Sequence, residues 1–113
     1  MMMTQVNTSF EYTLTVKVCL EDIAFHLTQR GVEPLPLITR LINQFEARVG
    51  FFPLSAQVCP ELLQLGCARY RECNLEEGYR VLYSVEGHRI TAHAVLAQRQ
   101  DIRQLLFKRL IHL

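Results

Sequence analysis

The chain has almost no net charge. Twelve Lys and Arg stand against eleven Asp and Glu in 113 residues, a formal +1. That excludes the global basic field which drives nonspecific nucleic-acid binding. C-x-x-C spacing is also absent, and no histidine ladder stands near Cys19, Cys59, Cys67 or Cys73. A zinc site is therefore not expected, and the thiols are expected to be reduced and mostly buried. No apolar run approaches the ~20 residues that a membrane span needs. The Met1-Met2-Met3 start runs into polar sequence too soon for a secretory leader. No repeat, linker or low-complexity tract is present. These absences point to a soluble cytoplasmic protein with no membrane, metal or cofactor requirement.

What is present reads as one globular domain. Half of the residues are apolar and a fifth are charged, which argues against disorder. The expected division is a flexible N-terminus over residues 1–9 and a single domain over 10–113. Charge is unevenly placed. Residues 1–66 hold four cations (Lys17, Arg30, Arg40, Arg48) against six acids, a balance of −2, and residues 67–113 hold eight cations against five acids, a balance of +3. The basic character sits in the second half.

Hydrophobic period organises the chain. Residues 10–18, FEYTLTVKV, alternate apolar and polar and are rich in β-branched and aromatic types, predicting a strand. From Leu20 the spacing Leu20, Ile23, Ala24, Leu27 is helical, and Arg30-Gly31 is a stop signal. Pro34 and Pro36 open a second helix with the stripe Ile38, Leu41, Ile42, Phe45, Val49, ended by Gly50. Two helices so closely joined should form a hairpin packed on a sheet. A proline-punctuated connector follows, with one helical turn expected over 60–65. Three extended runs come next, over 67–74, 79–85 and 89–96, with glycines at Gly78 and Gly87 for tight turns. In the last run Ile90, Ala92, Ala94 and Leu96 should share one face. A helix over 98–111, with the stripe Ile102, Leu105, Leu106, Leu110, closes the chain. The fold class is α+β, in the order β-α-α-β-β-β-α, with a mainly antiparallel four-stranded sheet.

Five stretches carry a resemblance. They are Pro60–Gly66 (PELLQLG), Tyr70-Arg71, Gly78-Tyr79-Arg80-Val81-Leu82-Tyr83, Glu86-Gly87 and Arg99-Gln100-Asp101. In this order and spacing the sequence resembles the RelE/ParE superfamily of bacterial toxins from type II toxin–antitoxin modules. The resemblance implies a small growth-arresting protein, of the kind tied to plasmid stabilisation, that is neutralised by a cognate antitoxin and meets operator DNA only through it. Two targets follow from it. ParE-like members poison DNA gyrase, and RelE-like members cut mRNA on the ribosome.

The cationic side chains decide how these are weighed. RNA cleavage needs a proton acceptor, a proton donor and cations for the phosphorane charge. Under that alternative the resemblance puts Arg80 and Arg99 in catalytic roles, with Arg69, Arg71 and His93 as lesser candidates. The lysine pair that RelE-like nucleases carry on the preceding strand is missing, however, and Leu105 stands where they carry a tyrosine. Arg80 and Arg99 read better as braces that pair with an acid such as Asp101. His93 reads as a satisfied sheet histidine, Tyr70, Tyr79 and Tyr83 as packing groups with wet hydroxyls, and Glu76 and Glu77 as solvated turn residues. Arg71, Arg103, Phe107, Lys108 and Arg109 are the expected partner-binding residues, suited to an acidic amphipathic antitoxin segment. The reading is a ParE-like toxin acting on gyrase. The alternatives are a RelE-like endoribonuclease and a degenerate, non-toxic binding module.

Overall fold

A computed structural model describes residues 8–103. The first element departs from the sequence pattern. The chain is extended only over β1, Ser9–Tyr12, and α1 already begins at Leu14 and runs to Gln29. FEYTLTVKV satisfies a strand by alternation, yet Val16, Cys19, Leu20, Ile23 and Leu27 also form one helical stripe, and burial selects the helix. Thr13 is the switch. Its backbone is extended, its Oγ1 accepts from Val16 N–H (3.3 Å), and the same hydroxyl donates to the His93 carbonyl (3.1 Å). One side chain thus caps the helix and fastens it to the sheet.

Arg30 ends α1 as expected, with Gly31 at φ +76°, a backbone state that favours glycine. Helix α2, Pro34–Phe51, starts on proline and buries Leu41, Phe45 and Val49. Gly50 does not end it. The glycine lies inside the last turn because the Phe10 ring packs over it, 3.4 Å from where a Cβ would stand. The connector then forms the short α3, Pro60–Gln64.

Strands β2 (Arg71–Asn74), β3 (Tyr79–Glu86) and β4 (Arg89–Ala97) complete a sheet in the order β1-β4-β3-β2. β1 lies parallel to β4, and the other pairs are antiparallel. β2 is shorter than the extended run over 67–74, because the connector takes up part of its outer edge. Val58 bridges Arg71, and Glu72 N–H donates to the Gln57 carbonyl (3.0 Å). The helix hairpin covers one face, where Phe45 meets the Phe10 and Tyr83 rings edge-on at 5.8 and 5.7 Å.

β4 does not alternate throughout. Leu82 pairs with Ala94 and Tyr83 with Ala92, so His93 is an extra residue in a β-bulge. The side-chain alternation is reset there. Ala92 and Val95, not Ala92 and Ala94, line the seam with Val81, Val16 and Phe45. The expected face of Ile90, Ala92, Ala94 and Leu96 is therefore broken in the middle.

The closing helix starts later than expected. Residues 98–100 form a turn, and helical backbone begins at Ile102. The rest of the span expected to be helical, with Leu105, Leu106 and Leu110, lies outside the described residues. Of the flexible N-terminus expected over residues 1–9, residues 1–7 also lie outside the described residues, and Ser9 already belongs to β1.

Candidate functional site: a buried arginine and the cationic surface

Arg80, the second residue of β3, points away from the helix hairpin. β2 presents Glu72 to the same face, and α3 presents Glu61 from above. Arg80 Nη1 donates to Glu61 Oε1 (2.9 Å) and to Glu72 Oε2 (2.8 Å). Nη2 donates to the other Glu61 oxygen and to the Gln100 carbonyl (2.6 Å). The Arg80 and Glu72 side chains are each 5% exposed and that of Glu61 is 20% exposed. A two-pronged Arg–carboxylate contact of this kind is the strong form of the ion pair. The hydrogen bonds from Arg80 hold the Glu61 carboxyl down at about 2, against burial acting in the other direction. The guanidinium is correspondingly raised above its ordinary range, chiefly by its hydrogen bond to Glu61.

This network corrects the expected partner. Asp101 does not reach Arg80. It pairs instead with Arg103, whose Nη2 lies 2.7 Å from Oδ2, while Oδ1 accepts from Arg103 N–H (2.8 Å). Glu61 also accepts from Ile102 N–H (3.4 Å), so one carboxylate ties α3 to β3 and to the start of the last segment. Neither Glu61 nor Glu72 stands out in the sequence as a partner of Arg80. The one usable signal was register: Glu72 pairs with Leu82, two residues along β3 from Arg80, so the two side chains share a face.

The other candidates lie apart. Arg99 is exposed in the turn after β4 and has no ion-pair partner among the described residues. Arg80 and Arg99 therefore do not converge on an open cationic pair. Arg71 Nη1 donates to the Leu54 and Ala56 carbonyls (3.2 and 2.5 Å), stapling the connector to β2. Arg103 is exposed and engaged by Asp101. Phe107, Lys108 and Arg109 lie outside the described residues. Arg69 lies over the Tyr70 ring, 5.7 Å from its centre, and pairs with Glu86 at 3.1 Å.

His93, expected as a satisfied sheet histidine, lies in β4 with a hydrogen-bond partner. The bulge aims its ring at Ser84, with Nε2 2.7 Å from Oγ, and Tyr70 meets it edge-on at 5.0 Å. Burial, with the charge of Arg69 behind it, lowers its pKa, so the imidazole is neutral at neutral pH. The bulge that places it is invisible in the sequence. Apolar side chains are also exposed: Phe51 at the end of α2, Phe52 and Leu54 on the connector, Leu63 and Leu65 at α3. No cluster of three or more metal-ligating side chains occurs among the described residues. Cys19, Cys59 and Cys73 are buried and Cys67 is half-buried. No described helix is long and apolar enough to cross a membrane.

No protein-family model and no curated protein sequence matches the chain. Among solved structures it is similar to a chain of the chromosomal ParDE TA system from P. aeruginosa, with a TM-score of 0.62 at 14% identity, over 82% of this chain and 98% of that one. The chain has the RelE/ParE fold. The isolated E. coli RelE toxin aligns with a TM-score of 0.47 at 14% identity, over 92% of this chain and 99% of that one.

Proposed function

We propose that this chain is the toxin of a type II toxin–antitoxin pair, and that it arrests growth by docking on DNA gyrase. The fold and the ordered motifs around Arg80 support the toxin reading. One observation favours docking over RNA cleavage: both Nη groups of Arg80 are taken up by carboxylates and a carbonyl. A cation that is to neutralise a phosphorane must be able to reach it. The cations that remain exposed, Arg99 and Arg103, suit a protein interface. Arg80 is on this reading a brace.

The ribonuclease reading keeps one specific support, the neutral His93 imidazole beside Ser84 and Tyr70, which has the protonation state of a general base. Two assays separate the readings. Under the lead reading, purified protein inhibits gyrase supercoiling or traps cleavage complexes and leaves mRNA intact in a coupled cell-free translation reaction. Cleaved transcripts with unaffected gyrase would replace it by the ribonuclease reading. Induction without any growth defect would leave a non-toxic binding module.

A further inference from the structure

Helix α1 turns two neighbouring rows of side chains towards the start of β3 and the end of β4. Cys19, Ile23 and Leu27 recur every four residues, and so do Asp22, His26 and Arg30, so each row runs along one side of the helix. The first row is buried or half-buried, and the second is exposed. Tyr79, which opens β3, and Gln100, in the turn after β4, stand across from them. These walls bound a cleft of about 450 Å³, within the range of small-molecule sites, roughly 300–1,000 Å³. Its floor is apolar and its rim is polar.

The rim groups differ from the other charged side chains in lacking partners. Arg40, Arg48, Arg69, Arg71, Arg80, Arg89 and Arg103 are each engaged by a carboxylate or a carbonyl. Arg30 has no such partner among the described residues. Nor do the side chains of Asp22, His26, Tyr79 and Gln100 make a hydrogen bond there. Asp22 does not cancel Arg30. Eight helical positions set the two about 12 Å apart along the axis, beyond the ~8 Å over which physiological salt screens exposed charges. The cleft is therefore bipolar, with a carboxylate and a guanidinium two turns apart and the His26 ring midway between them in the same row.

We propose that this cleft binds a guanine nucleoside monophosphate. Arg30 takes the phosphate, which matches the planar donor fork of a guanidinium. Asp22 accepts from the adjacent N1–H and N2–H donors of the guanine edge, one for each carboxylate oxygen. The base lies on the floor made by Ile23 and Leu27, against the His26 and Tyr79 rings. Phosphate and base edge are the two ends of this ligand, as the two charges are of the cleft. Adenine presents an amine beside a ring acceptor, so it offers Asp22 one donor and one repelled lone pair. Free phosphate reaches Arg30 alone, and guanosine reaches Asp22 alone. The inference goes beyond the toxin reading and does not depend on it.

The purified full chain, labelled with nitrogen-15, is titrated with GMP, AMP, guanosine and inorganic phosphate, and backbone amide shifts report both affinity and place. GMP should shift Ile23, Leu27, Ala97 and Gln100. AMP, guanosine and phosphate should each bind at least about tenfold more weakly, as expected for one lost hydrogen bond to a charged group. Arg30→Gln should weaken GMP by a similar factor and leave guanosine unchanged, and Asp22→Asn should bring GMP down to the level of AMP. Both positions are exposed, so the core is undisturbed. Ala97→Trp, at an exposed position on the wall of the cleft, should fill the space and abolish GMP binding. No shifts with GMP at millimolar concentration overturn the proposal. Phosphate that binds as well as GMP reduces the site to an adventitious ion only, and overturns it too. GMP binding that survives both Arg30→Gln and Ala97→Trp places the ligand elsewhere and likewise overturns it.

Discussion

Replacing Glu61 by Gln tests the buried network directly. The amide keeps the shape of the side chain and removes its charge, while Glu72 and the Gln100 carbonyl continue to hold Arg80. The carboxyl ordinarily titrates at 4.5 and is brought to about 2 in the folded chain. At 1.36 kcal/mol per pH unit, that difference amounts to at most about 3 kcal/mol of stability. Part of it is retained because the amide oxygen can still accept from Arg80, so the expected loss is about 1–3 kcal/mol. For a domain of this size each kcal/mol lowers Tm by roughly 4 °C. The sign with pH is fixed by linkage. The folded group has the depressed pKa, so its contribution is fully present above pH 4.5 and is lost as pH falls towards 2. Thermal melts of wild type and Glu61→Gln from pH 7 down to pH 2 should diverge most at neutral pH and converge in acid. Equal Tm values at pH 7, or parallel acid slopes, would refute the assignment of Glu61 as the clamp on Arg80.

Three further outcomes follow from the same geometry. Arg80→Leu strands Glu72, which is 5% exposed in the core of the network, and should cost about 3–5 kcal/mol, whereas adding Glu72→Leu should recover much of it by removing the orphaned charge; urea melts of the single and double variants read both. Phe45→Ala removes a ring that is 1% exposed and touches Phe10, Tyr12 and Tyr83, for a loss of about 3–5 kcal/mol in the same melts. Tyr83 is pushed up to about 12, mainly by burial, and Tyr12 is raised too, by burial and its hydrogen bond to Glu46, so in an ultraviolet titration two tyrosines should ionise late and Tyr83→Phe should shrink that late step to the share of Tyr12.

The order of elements was legible because the period of the apolar residues changes at each boundary. Leu41, Phe45 and Val49 mark one buried helix face, and Gly78 and Gly87, both at positive φ, mark the turns. Two local features were not legible. Residues 14–18 fit either period, and what decides between them is Thr13 bonding to a carbonyl eighty positions away. The bulge at His93 leaves no mark on composition, since an extra residue in a strand costs nothing that neighbours in sequence can report. The candidate site was half legible. Arg80 stood out by its motif, but its partners Glu61 and Glu72 lie 19 and 8 positions off, and only the pairing of β2 with β3 and the seat of α3 bring them together. An acid close in sequence, Asp101, was the natural guess and the wrong one.

The parallel pairing of β1 with β4 has a consequence for how the protein is made. β1, which precedes the helix hairpin, has β4, which follows it by more than thirty residues, as its sole sheet neighbour among the described residues. At roughly 5–20 residues per second, the helix hairpin waits several seconds with Val16, Leu41, Phe45 and Val49 uncovered before its platform is synthesised. The apolar face of the hairpin therefore stays uncovered during synthesis until β4 emerges.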